Sequence, residues 1–280
     1  MRFAIWDEAG GAMSPIKAGT NVEALGARLV RAKGRTLAQF EAEDAPRLVA
    51  EARGARGQLL EVHCHGEPGK LHLWEGVVQS NVGRLGRAVR AFMAPGARIE
   101  LLACKVLAVP EDVPLSPRGR ARLEAVVQFF DRENAKWEKA APGLSEAQAS
   151  ASWQDIMDRW DRHLVTELDA RGYAFDERAA RGMRAGAFAR FEIARRDPVG
   201  KTRIAGLPFV QALARESGCT VRAGLAAQGE YGDPSDPIGN WEGAVYDVRP
   251  DGSVAFAGVN RPRRATDYER DRRMQLPTLA

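Results

Sequence analysis

His65 and Cys104 have the residue types and the spacing that nucleophilic catalysis needs. A cysteine attacks as its thiolate, and a nearby histidine takes up the thiol proton or stabilises the anion. Such a thiol must stand at the end of a strand, open to substrate, and not sealed in a core. The runs Gln58–His63 (QLLEVH) and Arg98–Ala103 (RIELLA) are compact and apolar, which predicts two buried strands. His65 follows the first run by two residues and Cys104 follows the second by one. Gly66 removes side-chain bulk beside the histidine and frees its backbone N–H for an oxyanion. Val82, Leu85, Val89 and Phe92 mark a single helix between the two strands, so a right-handed crossover makes the strands neighbours.

The same region invites a metal reading. Alternation along a strand puts His63 and His65 on one face, and His72 follows nearby. No carboxylate stands in a familiar metallohydrolase spacing after them, and His163 is far along the chain. No metal or cofactor is therefore expected. His63 is expected to be a buried, hydrogen-bonded strand residue, and Cys64 and Cys219 to be small apolar core residues.

Other elements must hold these groups in place. Arg2–Trp6 alternates like a strand, and Asp7–Gly19 reads as a loop. Val22, Leu25, Leu29 and Val30 recur at helical spacing and predict an amphipathic helix over about 21–32. Leu37 and Phe40 lead into a second helix with Leu48 and Val49 on its apolar side. Leu71, Leu73 and Val77 predict a short hairpin, and Pro95-Gly96 a break after the helix that follows it. From 106 to 202 the texture becomes helical: Pro110, Pro114 and Pro117 lead in, and helices are marked by Leu123–Phe130, Trp153–Leu164 and Phe188–Ile193. Trp137, Trp153 and Trp160 suit a helical core better than a stacking surface. The α/β texture then returns: a helix through Phe209, Val210 and Leu213 stopped by Gly218, a strand at Cys219–Ala223, and a hairpin turning at Asp251-Gly252.

The chain has 280 residues, a net charge of +4 and three cysteines. An odd, widely spaced set of thiols argues against a disulfide framework and for a reducing compartment. The opening residues do not form a signal peptide, and no run approaches a membrane span. The expected location is the cytoplasm, or outside it through a dedicated secretion machine. The basic stretch 261–280 reads as a solvated tail, diluted by Asp267, Glu269 and Asp271, and not as a nucleic-acid or membrane anchor.

Strand-His-Gly, a helix, then strand-Cys resembles the core of the caspase-like (clan CD) cysteine peptidases. The chain is most similar to a bacterial caspase-like domain family. His65, Gly66, Pro68, Gly69, Leu71 and Leu73 match its His-Gly-x-Pro-Gly-x-Leu-x-Leu stretch, and Leu101, Leu102 and Cys104 match its strand ending in cysteine. Phe209, Val210, Leu213, Ala214 and Gly218 match its later helix, and Gly239, Asn240, Trp241 and Glu242 its Gly-Asn-Trp-Glu turn. The resemblance covers about 1–105 and 203–258 and implies a three-layer α/β/α sandwich with a mostly parallel sheet. In the present chain 106–202 would interrupt that fold as a helical insertion, longer than the family's usual segment.

The resemblance implies a thiol protease, a hydrolase acting on protein or peptide substrates. Cys104 would be the nucleophile, His65 its proton partner, and the N–H groups of Gly66 and Cys104 the oxyanion hole. Glu230, Asp233 and Asp236, with Trp241, would line the substrate side, the acids favouring a basic residue before the cleaved bond. The insertion would gate the cleft, carry a self-cleavage site or dock a partner protein. Lys105, where relatives often have an acid or a small residue, either lowers the thiol pKa or points to solvent. The alternative is an inactive interaction module on the same fold.

Overall fold

The computed structural model describes residues 1–7, 27–103, 105–109, 112–145, 147–148, 151–152, 185–202, 204–225 and 243–260. The expectations for Trp153, Trp160, the loop 228–240 and the tail 261–280 lie outside the described residues.

The fold is α/β, built on a seven-stranded sheet in the order β2-β1-β3-β6-β7-β8-β9. The strands are β1 (Arg2–Trp6), β2 (Arg28–Arg31), β3 (Gly57–His63), β6 (Met93–Leu102), β7 (Thr220–Gly224), β8 (Gly243–Val248) and β9 (Val254–Asn260). The first five of that order run parallel; β8 and β9 are antiparallel. A small hairpin, β4 (Gly66–Glu67) with β5 (Lys70–Leu71), follows β3. The helices are α1 (Leu37–Gln39), α2 (Ala45–Glu51), α3 (Val82–Phe92), α4 (Pro117–Ala140), α5 (Ala185–Arg196) and α6 (Gly206–Ser217).

Alternation sorts the sheet into two faces. Phe3, Leu60, Ile99, Val221 and Val248 stand in one row across five strands, and all are buried. The helices α1, α2, α3 and α6 pack on this face. Phe92 of α3 meets Phe3 edge-on at 5.0 Å between ring centroids, and Phe40 meets Phe92 at 6.5 Å. On the opposite face the neighbouring row reads Glu61, Glu100, Arg222, Asp247. A parallel sheet is ordinarily apolar on both sides. Here Arg222 is the direct cross-strand neighbour of both Glu100 and Asp247, Glu61 faces Glu100, and Arg2 and Arg98 flank the row.

Three expectations are corrected. Arg28–Arg31 is a strand, not part of a helix over 21–32, of which 21–26 lie outside the described residues. Pairing with β1 satisfies its backbone groups and buries Val30, which outweighs a weak helical periodicity. Val49 is 43% exposed. A π-helical turn at Phe40–Asp44 inserts an extra residue between α1 and α2, which rotates the following turn: Phe40 and Leu48 point inward and Val49 outward. Pro95-Gly96 does not separate α3 from the next strand. β6 begins at Met93, and the pair sits in an irregular stretch where the register with β3 jumps from Gly57–Met93 to Leu59–Arg98.

The segment 106–202 is tied to the sheet at both ends. Ser116, just before α4, and Asp197, just after α5, are held together: the Asp197 carboxylate accepts from the Ser116 N–H and hydroxyl and from the N–H groups of Val199 and Gly200. These donors hold the Asp197 carboxyl down at about 2, against the burial that opposes them. On α5, the buried Glu192 accepts from the Tyr246 hydroxyl of β8 at 2.9 Å and pairs with Arg195 through both oxygens. Phe191 lies on the Tyr246 ring at 4.7 Å, so α5 shares the core of the sheet.

Candidate functional site

β3 and β6 are parallel neighbours, and His63 lies opposite Leu102 in their ladder. The carboxyl ends of both strands therefore open on one edge of the sheet, where α/β folds place their ligands. His65 is the second residue after His63 in the chain, as Cys104 is the second after Leu102. Cys104 itself lies outside the described residues, as do Glu230, Asp233, Asp236 and Trp241. The described part of the candidate site is thus His65, Gly66 and the segment on either side of residue 104.

His65 is half-buried and leads directly into the β4–β5 hairpin. Its carbonyl accepts from the His72 N–H at 2.9 Å. That bond makes Gly66 and Leu71 a pair whose own N–H groups point away from each other, so the hairpin does not consume the Gly66 N–H. His72 is held elsewhere: its Nε2 lies 3.0 Å from Glu67 Oε1 across the hairpin. Among the described residues no group of three metal-ligating side chains forms.

The segment after residue 104 is clamped. Lys105 has φ +54, a left-handed backbone that costs a residue with a Cβ about 1–2 kcal/mol. The turn is closed by the Ala108 N–H on the Lys105 carbonyl, and Lys105 itself is exposed. Val106 and Leu107 are fully buried; Val106 accepts from the Gly69 N–H at 3.1 Å, and the Leu107 N–H donates to Gly224 at the end of β7. The strand before residue 104 thus ends in a sharp, over-determined turn, and such strain gathers at functional positions.

Two glycines that the sequence reading did not single out as functional make the clamp possible. Gly69, at φ +72, carries the hairpin tip against the start of α6, where a Cβ would come within 2.5 Å of the Ala205 carbonyl oxygen. Gly206 opens α6, and a side chain there would run into the Val106 carbonyl oxygen. The signal for Gly69 is the Pro68-Gly69 turn; for Gly206 only the contact itself reveals the need. Loop 66–71, turn 105–107 and the first residue of α6 therefore form one rigid corner.

Two other expectations are settled by burial. Cys64 and Cys219 are buried in the core, as their small apolar character predicts. His63 is buried, but it is not hydrogen-bonded: neither ring nitrogen has a partner, and burial lowers its pKa to about 4. No described helix is long and apolar enough to cross a membrane. No protein-family model, curated protein or solved structure matches the chain.

Proposed function

We propose that the chain is a caspase-like cysteine endopeptidase, a three-layer α/β/α sandwich in which Cys104 and His65 form the working pair. What supports this most is the parallel register of β3 on β6, since it leads the histidine segment and the cysteine segment out of the sheet side by side. The order strand, His65-Gly66, helix α3, strand, Cys104 is the one the resemblance requires.

In this reading the Cys104 thiolate attacks the carbonyl carbon of the scissile peptide bond. The oxyanion is met by the Gly66 N–H and the residue 104 N–H. The C–N bond breaks as protonated His65 gives its proton to the leaving amine, and a thioester remains on Cys104. Water, deprotonated by His65, adds to the thioester, and the acid product leaves with the thiolate restored. Glu230, Asp233 and Asp236 favour a basic side chain before the cleaved bond, beside Trp241. Segment 106–202 gates the cleft or carries a self-cleavage site.

A peptide library cut by the wild-type chain and not by Cys104→Ala tests the chemistry. Cleavage that persists in Cys104→Ala removes the reading, and cleavage after acidic or apolar residues removes the role given to the three acids.

A further inference from the structure

The charged sheet face is incomplete at one place. Three arginine–carboxylate pairs cross it, and they loosen from one side to the other. Arg222 grips Asp247 through two bonds of 2.8 and 2.9 Å, Arg98 meets Glu100 at 2.8 Å, and Arg2 approaches Glu61 only to 3.8 Å. Glu61 and Glu100 stand directly opposite each other on β3 and β6, an unfavourable like-charge pair. Glu61 is 8% exposed and its Oε2 has no hydrogen-bond partner. Two residues along β3, on the same face and about 7 Å away, His63 is also 8% exposed, with both ring nitrogens unpartnered. Trp6 of β1 is its direct cross-strand neighbour.

A buried carboxylate oxygen and a buried imidazole left unmet each cost stability. Their common need is a cation that donates several hydrogen bonds. Burial raises the Glu61 pKa, Arg2 and Arg98 oppose that, and the facing Glu100 adds to it. A further cation beside Glu61 favours its charged form. A metal ion fits poorly, since no third ligating side chain joins them among the described residues. A guanidinium or ammonium group fits: it donates to Glu61 Oε2 and to the lone pair of neutral His63, beside the Trp6 ring, over which the chain's own Arg31 guanidinium lies 5.9 Å from the centroid.

We propose that Glu61 and His63, with Trp6 beside them, form a binding subsite for a guanidinium- or ammonium-bearing ligand on the charged face of the sheet. The proposal does not rest on the peptidase reading and uses none of its residues. The ligand group comes either from a small free amine or from the basic side chain of a peptide.

The test titrates the full chain with agmatine, acetyl-arginine amide and its neutral isostere acetyl-citrulline amide. Binding is read by calorimetry and by the imidazole nitrogen signals of His63, assigned with His63→Gln. The expected result is saturable binding of an arginine-type ligand that moves the His63 signals, with citrulline at least about tenfold weaker, the scale of a hydrogen bond to a charged group. Glu61→Gln should weaken binding by a similar factor. Agmatine binding supports a site for any guanidinium, and binding of acetyl-arginine amide alone supports a peptide side chain. No binding at millimolar concentration, equal binding of citrulline, or signals of His63 that stay put on saturation overturns the proposal. Apart from the His63→Gln assignment, these readings use the wild-type chain, so they stand even if Glu61→Gln fails to fold.

Discussion

His63 on β3 faces Leu102 on β6 across a parallel ladder. This one pairing decides what the carboxyl edge of the sheet can do, because the next residues of each strand leave the ladder together. A shift of register by one residue would send the histidine segment and the cysteine segment to different depths and opposite faces. The cysteine peptidase reading therefore rests on backbone geometry, with side chains added at the ends of two fixed strands.

The first prediction concerns the working pair. Cys104→Ala should abolish peptide cleavage, and His65→Ala should lower kcat/KM by at least about a thousandfold, the scale seen when a nucleophile–base unit loses a member. Both variants should keep the thermal stability of the parent, since His65 lies at a strand end outside the core. Steady-state assays beside thermal unfolding check this. Loss of activity together with loss of fold would not fit.

The corner formed by loop 66–71, turn 105–107 and the start of α6 predicts a different pattern. Gly69→Ala meets the Ala205 carbonyl and must also adopt φ +72. Stability should fall by about 1–3 kcal/mol, as for a residue forced into a sparsely populated backbone region. Activity should fall further than stability alone explains. Gly54→Ala, at φ +84 but with no atom near its would-be Cβ, serves as the control. Urea unfolding and activity measured on both variants separate the clash from the backbone cost.

Asp197 ties the two ends of segment 106–202. Its folded pKa, about 2, lies below the ordinary 3.8. A depressed carboxylate adds stability that is full above the ordinary value and is lost as pH falls through the folded one. Stability should therefore decline between about pH 4 and 2, and Asp197→Ala should remove that part of the slope. At neutral pH the same variant leaves the Ser116 donors and two backbone N–H groups unmet, at a cost of about 2–4 kcal/mol. Denaturation curves at a series of pH values report both.

His63 gives the opposite chemistry and the same direction of slope. Its folded pKa is about 4, below the ordinary 6.5, so the folded chain keeps it neutral while the unfolded chain protonates it. Above pH 6.5 both states are neutral and the group has no effect, and stability is lost as pH falls from 6.5 towards 4 because only the unfolded chain takes up the proton. His63→Leu should flatten the curve in that window and leave stability at pH 7 unchanged or higher, since it removes two unmet polar atoms. A curve for His63→Leu that still falls between pH 6.5 and 4 would assign the slope to another group.

Much of this fold was legible in the sequence. The strands ending before His65 and Cys104 announce themselves as apolar runs, α3 by its 3.6-residue period, and the β8–β9 hairpin by Asp251-Gly252. What was not legible depends on contacts distant in sequence. The segment at 28–31 has helical spacing and becomes a strand because β1 offers a ladder. Val49 turns outward because a π-helical turn shifts the phase of its helix. The charged row of Glu61, Glu100, Arg222 and Asp247 is scattered over four strands and becomes a row only when the registers are known. At the site, His65 and Gly66 carried a signal in their types and spacing, whereas the need for glycine at 206 lies entirely in the approach of the Val106 carbonyl.

The most direct test is the alkylation rate of each cysteine by iodoacetamide, followed by mass spectrometry in the wild-type chain and in His65→Ala. Cys64 and Cys219 are 4% and 0% exposed and should react slowly in both. The account predicts that Cys104 reacts fastest at neutral pH and loses that advantage when His65 is removed. A Cys104 that reacts no faster than the two buried thiols, or at the same rate with and without His65, would contradict a cysteine–histidine catalytic pair.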